Sequence, residues 1–396
     1  MTVRHPLGRR TRGRAAFTAA ALAVVLAAAG CSPSDGSGAG ATPAAGAGAT
    51  GSAPGGSGGG GSPSAAALPP LSQAEAAAVF KHYGEVRAAA NATRDDAKLA
   101  EIEDGPLLAA STAAYRMERL GGDKPLPFEQ STPYFLVPRR EGYPRYFAVL
   151  ARNSRWIATS HGRDLMYFRQ QTAGGPWKAV FQTPINVKNG DAGQSATDPT
   201  YTPKPTASPT VTYHPDQKPP SKLPNMPVAD GDFVRTVDGQ AAVTAAKTCT
   251  DYAAYHTRSI QGPQARDRFV AGDLTTGITA REAERARALG EISWTRTFRP
   301  TTDPGLPLLR LGDGTALVPC TFDKVEVTDS PRAPERWVSY DQGDKVLRFL
   351  GPSLKWSHVE RTSADFAVIA APTDGSAADV LFMHDTLLSA TGTPIP

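Results

Sequence analysis

Cys249 and Cys320 are the clearest candidates for covalent chemistry in this 396-residue chain. Cys249 lies on the apolar stripe of a predicted helix, and Cys320 lies in a predicted strand between Val318 and Phe322. A helix packed on a sheet can bring two α-carbons within the roughly 5.5–6 Å that a disulfide requires. Because paired thiols usually oxidise outside the cytoplasm, we predict a Cys249–Cys320 disulfide. Two separately buried thiols are the alternative.

The histidines and carboxylates show no spacing typical of a catalytic or metal site. His358, His384 and Asp385 come from late predicted strands, with Asp365 between them in the sequence. A metal or acid–base site there is conceivable if the strands are neighbours, but it is not our prediction. The chain has no GxSxG, HExxH or P-loop motif, so we predict no catalytic residue, no bound metal and no cofactor.

The first thirty residues have the three parts of an export signal. Arginines precede an apolar run from Ala15 to Ala29 that is too short to favour a permanent membrane span. The sequence Ala28-Ala29-Gly30-Cys31 resembles the bacterial lipobox, whose cysteine receives a diacylglycerol before cleavage. The resemblance implies that residues 1–30 are removed and that lipidated Cys31 anchors the chain to the outer face of the cytoplasmic membrane. An ordinary signal peptide with an incidental cysteine is the alternative.

The positive charge of the precursor belongs to this signal. The whole chain has 42 basic and 38 acidic residues. Loss of residues 1–30 removes five arginines and leaves 37 basic against 38 acidic residues, a net charge of −1. A nearly neutral, exported chain gives no support to nucleic-acid binding.

Residues 31–67 predict a disordered tether. They consist almost wholly of glycine, serine, alanine, proline and threonine, a composition that cannot bury enough apolar surface to fold. A flexible segment of this length reaches roughly 30–36 Å. It would lift a folded body away from the lipid headgroups.

Residues 68–188 are predicted to fold as helices followed by strands. Ser72 and Glu75 form a capping box ahead of an apolar stripe with helical spacing. N-cap chemistry recurs from Thr93 to Asp96, and Pro106 marks a third helix start. Short aromatic and β-branched runs then alternate with turn residues, as in antiparallel strands. The four predicted strands are 133–137, 145–151, 165–171 and 177–185.

Residues 189–231 lose this periodicity. Nine prolines lie between Pro199 and Pro227, which predicts a connector that proteases cut first. Residues 232–396 then repeat the order of elements, with a helix that carries Cys249 and a second helix that begins at a capping box of Thr279 and Glu282. The predicted strands of this half are 306–311, 315–327, 337–340, 345–350, 355–361, 366–371 and 380–383.

Helices followed by strands, twice over, predict an α+β fold of two tandem domains. Each domain would have N-terminal helices packed on a curved antiparallel sheet. Each half resembles the roll of the cystatin-like and nuclear-transport-factor-like superfamily. The whole chain is similar to uncharacterised surface lipoproteins of high-GC actinobacteria in its lipobox, its tether and the segment from Asn91 to Pro106. That family brings no known activity with it.

Three classes of function remain. The first is a membrane-anchored extracytoplasmic binding or interaction module of the cell envelope, whose partners are the membrane and another envelope component. The second is a small-molecule carrier that uses the concavity of a curved sheet. The third is an enzyme, because rolls of this superfamily include enzymes built on inward-facing Asp and His residues. A pocket lined by Tyr, Trp and Phe with a converging Asp–His or Asp–Tyr pair would favour the second or third class.

The predicted strands of the first domain are rich in basic residues. Nine basic and two acidic residues lie between 135 and 188, whereas residues 68–132 have seven basic and ten acidic ones. Arg139, Arg140 and Arg145, interleaved with Tyr143 and Tyr146, are candidates for contact with an anionic membrane or wall polymer. The simpler interpretation, which we favour, is a solvated sheet surface that balances the acidic helices.

Overall fold

The computed structural model describes residues 70–125, 129–153, 162–186, 225–257 and 266–396. The predicted signal peptide, Cys31, the tether and most of the connector lie outside these residues. The fold class is α+β with antiparallel sheets, as predicted. Within the described ranges, no helix is both long and apolar enough to cross a membrane.

Three helices open the described chain, and their capping residues explain where they begin. They are α1 (Gln73–Thr93), α2 (Asp96–Ile102) and α3 (Gly105–Gly121). The Ser72 hydroxyl accepts a hydrogen bond from the Glu75 amide, while the Glu75 carboxylate accepts one from the Ser72 amide. Asp95 caps α2, and Asp104 caps α3 ahead of Pro106 in its first turn. All three predicted helix starts are therefore confirmed.

The first sheet is a four-stranded antiparallel meander. Its strands, in spatial and sequence order, are β1 (Gln130–Leu136), β2 (Arg145–Asn153), β3 (Gly162–Gln170) and β4 (Trp177–Asn186). Helix α1 covers one face, where Phe80 and Tyr83 meet the ring of Phe168 edge-on at 6.2 and 5.3 Å. Phe168 in turn stacks on Phe147 of β2 at 4.7 Å. The four strands match the four runs that the sequence predicted.

The second sheet comes from residues 293–394. The elements after the connector are β5 (Ala229–Asp230), β6 (Phe233–Val234), α4 (Gly239–His256), α5 (Ile278–Leu289), β7 (Ser293–Pro300), β8 (Leu309–Arg310), β9 (Ala316–Asp329), α6 (Leu347–Leu350), β10 (Trp356–Ala371) and β11 (Asp379–Pro394). The sheet has the order β11-β10-β9-β7, and β8 pairs with β9. Helix α4 packs on β7 and β9.

Several details differ from the sequence prediction. Strand β7 was not predicted, and residues 345–350 end in the short helix α6 instead of forming a strand. The amide of Val346 bonds to the Asp344 carboxylate at 3.0 Å, which starts a helical turn. The predicted capping box at Thr279 is also wrong. A π-helical turn, Asp273–Gly277, runs directly into α5, and the Thr279 hydroxyl donates to the Thr275 carbonyl at 2.8 Å.

The two sheets pack face to face. Phe181 of β4 meets Phe366 of β10 with ring centroids 5.9 Å apart, and the Thr183 hydroxyl lies 3.0 Å from His384 Nδ1 on β11. The layers are therefore α1, the first sheet, the second sheet and α4. One apolar core contains buried residues from both sheets. The boundaries at 188 and 232 stay a prediction from the sequence, and the structure adds that the two segments share this core.

Candidate functional site

A disulfide joins Cys249 of α4 to Cys320 of β9, as the sequence predicted. The α-carbons are 5.5 Å apart, and both residues are buried. One turn further along α4, the ring of Tyr252 packs against Phe322, the next residue on the same face of β9. The disulfide therefore holds α4 against the second sheet, on the face away from the first sheet.

Strand alternation places a row of charged side chains on this helix-facing surface. Arg296 of β7 lies opposite Glu326 of β9, and Glu326 lies opposite Arg361 of β10. Two residues earlier on β9, Lys324 faces the same side, because side chains alternate between faces along a strand. Pairing thus brings together, from three strands, residues that are up to 65 positions apart in the sequence.

Two further groups of charges complete the site. Asp365 of β10 lies opposite Asp385 of β11, and both carboxylates approach Lys324. Helix α5 contributes Glu282, which pairs with Arg296, and Arg285, which approaches Glu326. We refer to these eight residues as the charge cluster: Glu282, Arg285, Arg296, Lys324, Glu326, Arg361, Asp365 and Asp385.

Glu326 lies at the centre of the charge cluster. Its carboxylate accepts hydrogen bonds from Arg285 and from the indole of Trp294, at 3.3 and 3.2 Å, and forms an ion pair with Arg361 at 3.3 Å. The Arg285 guanidinium also stacks over the Trp294 ring at 4.2 Å. Burial acts to raise the pKa of Glu326, but Arg361 and the other cations outweigh it and lower the pKa. The carboxylate is therefore ionised at neutral pH.

Lys324 bridges two carboxylates with different environments. Its Nζ lies 3.2 Å from Asp365 and 2.8 Å from Asp385. The Asp365 side chain is fully buried, and this burial raises its pKa to about 7. The Asp385 side chain is 47% exposed, and the attraction of Lys324 lowers its pKa against the opposing effect of desolvation. The two paired aspartates therefore differ in protonation near neutral pH.

The charge cluster separates two apolar groups and extends to the protein surface. Cys249, Tyr252 and their neighbours form one apolar group under α4, and Trp294, Val338 and their neighbours form the other. Side-chain exposure is 0% at Asp365 and 9% at Lys324, but 22% at Arg361 and 30% at Arg285. Solvent and solutes can thus reach one end of the cluster.

His384 and His358 lie away from the charge cluster, whereas the Nδ1 of His256 lies 4.0 Å from Glu282. His384 points toward the first sheet, on the face opposite to Asp385, and His358 pairs with Asp329 at 2.6 Å. His256 is buried, and burial lowers its pKa to about 3, which keeps it neutral. Among the described residues, no group of three or more His, Cys, Asp or Glu side chains could hold a metal ion.

The three arginines proposed for anionic contact make contacts within the protein. The Arg139 guanidinium lies 4.7 Å over the ring of Phe233. Arg140 lies 5.4 Å over Tyr146 and donates to the carbonyl of Gly305 at 3.0 Å. The charge of Arg145 acts on Glu75 at the start of α1. Arg139 and Arg140 are exposed, but each also packs on the second half of the chain or on its own sheet.

Two surface grooves flank α1 on the first half. One, of about 490 Å³, lies between α1 and β1 and is mainly apolar, with Phe80 and Phe135 in its wall. The other, of about 390 Å³, lies between α1 and the β3–β4 turn beside Trp177. Neither lining includes an aspartate, so neither groove has the Asp–His or Asp–Tyr pair that would favour a carrier or an enzyme.

Sequence reasoning named Asp365 and Asp385 beside the late histidines, without predicting a site there, and missed the other six members of the charge cluster. One signal was present, because Lys324 and Glu326 alternate with Val325 and Val327 in a long strand run. Charged residues at every second position of a strand lie on the same face of the sheet, so this pattern indicates a row of charges on one face. A second pattern marks β7 as a strand. Trp294, Arg296 and Phe298 lie at every second position, with threonines between them.

Comparison with known proteins gives one partial match. A family model described as a domain of unknown function (DUF8094) matches residues 67–199, about a third of the chain. This segment covers the first predicted domain and the start of the connector. Neither the curated proteins nor the solved structures contain a match to the chain.

Proposed function

We propose that the protein is a lipid-anchored extracytoplasmic binding module of the cell envelope, and that the charge cluster is its binding site for a small polar ligand. The observation that carries the proposal is the position of eight charged side chains between a helix layer and a sheet, with one end exposed. Packed apolar residues at such positions are often as stabilising as buried ion pairs, or more so. Stability alone therefore gives little reason for this cluster.

The shifted pKa values of two carboxyl groups in the charge cluster support the same proposal. Clusters of ionisable groups with shifted pKa values are common where proteins bind or react. Asp365 and Glu326 shift in opposite directions although both are buried carboxylates, because only Glu326 has several arginines around it. A polar solute that binds at the exposed end would lose hydrogen bonds to water and gain contacts with charged side chains that are already in position.

The envelope location is supported by the sequence and by the disulfide. The export signal and the lipobox-like Ala28-Cys31 segment imply an anchor on the outer face of the membrane. The Cys249–Cys320 disulfide fits an oxidising compartment. A carrier would use the same site and would differ only in releasing its ligand to a second protein.

Native mass spectrometry of the lipoprotein, extracted from its own membrane, tests this function. We expect a retained small molecule in the native protein and its loss in Arg361→Gln, which removes one of the exposed cations. Arg287→Gln is the matched control, because Arg287 is exposed on α5 outside the cluster. A protein that carries no ligand and is stabilised by no metabolite fraction would contradict the proposal.

A further inference from the structure

Lys324 and Asp365 place an amine and a carboxyl group side by side in the interior of the second half. They lie on the same face of the neighbouring strands β9 and β10, and the lysine Nζ is 3.2 Å from one carboxyl oxygen. The two side chains are 9% and 0% exposed. Within the described part of the chain, no residue donates a hydrogen bond to either oxygen of Asp365. No other donor therefore competes with the amine for this carboxyl group.

Aromatic side chains border the pair and favour a neutral carboxyl group. The lysine Nζ lies 5.8 Å from the centre of the Phe298 ring on β7. Phe322 is opposite Asp365 on β9, and the ring of Tyr252 packs against it at 5.9 Å. Such burial raises the pKa of Asp365 to about 7, so a large share of the carboxyl groups is protonated near neutral pH.

Asp385 is in position to take a proton from the amine. Burial acts to lower the pKa of Lys324, but Asp365 and Asp385 outweigh it and raise the pKa, so the amine must lose a proton before it can attack. Its Nζ donates a hydrogen bond to Asp385 at 2.8 Å. The Asp385 side chain is 47% exposed. A carboxylate that contacts both the amine and water can carry a proton from one to the other.

We propose that Lys324 and Asp365 condense to an amide, an isopeptide bond that joins β9 to β10. The amine nitrogen attacks the carboxyl carbon, its lone pair forms the C–N bond, and the C–O bond to the hydroxyl group breaks with its electron pair. Of the three ammonium hydrogens, one stays on the amide nitrogen, one leaves with the hydroxyl group as water, and one passes through Asp385 to solvent. The reaction needs no oxidant, reductant or further reactant.

Two features of the structure favour this reaction. Strand pairing holds the amine and the carboxyl group in contact, which turns an encounter between two molecules into an intramolecular step. The product is a neutral amide, so the cost of keeping charges at two buried positions is removed. Water and the released proton have a route to solvent beside Asp385.

The bond goes beyond the proposed function, because it concerns the buried end of the charge cluster and leaves the partly exposed arginines as they are. The disulfide joins α4 to β9, and the amide would join β9 to β10. Three neighbouring elements of this exported chain would then be linked covalently. Because an amide does not titrate, the pH response of an Asp365 carboxyl group is expected only of chains in which the bond has not formed.

Tryptic peptide mapping of the mature, reduced lipoprotein tests the bond. Trypsin does not cut after an acylated lysine, so residues 311–332 should remain one peptide and should be joined to residues 362–396. The joined species should have the summed mass of the two peptides less one water, and fragmentation should place the link at Lys324 and Asp365. Complete cleavage after Lys324, with an unmodified peptide 362–396, would overturn the proposal. This result requires no variant to fold.

Substitutions test the roles of the individual groups. Lys324→Arg keeps a cation between the two aspartates, but a guanidinium does not lose its proton, so no joined peptide should form. Asp385→Asn removes the proton carrier and should slow formation of the bond about 100-fold or more in a pulse-chase measurement. Asp323→Asn, at an exposed position of β9, is the matched control and should react like the native protein. Equal rates in Asp385→Asn and Asp323→Asn would reject the role of Asp385.

Discussion

The two halves of the molecule bury charge in different ways. In the first half, Arg87 of α1 pairs with Glu103 at the end of α2, and the Tyr83 hydroxyl donates to the same carboxylate at 2.9 Å. Arg87 also donates to the Ser111 hydroxyl of α3 at 2.9 Å. The Glu103 side chain is fully buried and that of Arg87 is 9% exposed. This pair therefore links three helices and does not reach the protein surface.

The charge cluster of the second half is larger and open at one end. It joins four strands and α5, and its outer arginines are partly exposed. Arg87 and Glu103 are both almost fully buried, so solutes do not reach them and the pair stabilises the packing of the helices. In the charge cluster, the partly exposed Arg285 and Arg361 can be reached from solvent. The difference in connectivity, more than the amount of buried charge, distinguishes a structural pair from a candidate binding site.

Replacement of Arg87 in the first half and of Arg361 in the second should show the largest difference in stability between the structural pair and the charge cluster. Arg87→Met leaves Glu103 buried with no opposite charge, and we expect the free energy of unfolding to fall by about 3–5 kcal/mol. Arg361→Met leaves Glu326 with Arg285 and Trp294, so we expect a loss of about 1–2 kcal/mol. Urea unfolding measures both values.

Lys81→Met is the matched control for Arg87, because Lys81 lies on the same helix in an exposed pair with Glu85. We expect no measurable change in stability from this variant. A loss for Arg361→Met as large as that for Arg87→Met would mean that the charge cluster is also a structural device.

Reduction of the Cys249–Cys320 disulfide should have the next largest effect. The bond closes a loop of 71 positions, and its loss is expected to lower stability by at most about 4 kcal/mol. Tandem domains would confine this effect to the second half. Because both sheets share one core, we instead expect a single calorimetric transition that moves as a whole. Two transitions, with only one moving on reduction, would support independent domains.

In chains that keep Asp365 as a carboxyl group, the pH dependence of stability should report on Asp365. Its pKa is about 7 in the folded protein, above the ordinary value of about 3.9 for an unfolded chain. The folded state then holds the proton more tightly, so stability is highest at low pH and falls as pH rises from about 4 to 7, by at most about 1.4 kcal/mol per unit. Lys324, Asp385 and Glu326 face this carboxyl group and oppose or add to the effect.

Comparison of variants isolates the contribution of Asp365 from the other carboxylates. Asp365→Asn should remove this part of the pH slope, whereas Asp323→Asn, at an exposed position of the neighbouring strand, should leave the slope unchanged. Urea unfolding at a series of pH values measures the slope. A native protein and an Asp365→Asn variant with the same slope would show that Asp365 does not titrate in this range.

The smallest effect is expected at the arginines of the first sheet. Because Arg139 lies on Phe233 and Arg140 bonds to Gly305, joint replacement of Arg139, Arg140 and Arg145 should change binding to anionic vesicles little. Co-sedimentation of residues 68–396 with anionic and neutral vesicles at two salt concentrations measures it. Binding that weakens with salt and disappears in the triple variant would instead support contact with an anionic surface.

Local chemistry explains what the sequence alone determined. The capping box of Ser72 and Glu75, the helix starts near Asp96 and Pro106, and the four strands of the first sheet depend on residues a few positions apart. The disulfide was also predictable, because two thiols remain once Cys31 is set aside and the predicted helix and strand put both on buried faces. Such features need no knowledge of how distant segments pack.

Only the tertiary structure decided the candidate site and the relation of the two halves. One face of strand β7 carries Trp294, Arg296 and Phe298, and the role of Arg296 became clear only when pairing set it opposite Glu326. The edge-on contact between the rings of Phe181 and Phe366 joins strands that are more than 180 residues apart. Strand register and sheet packing bring together side chains from distant segments, and no local pattern of residues specifies which partner each one will meet.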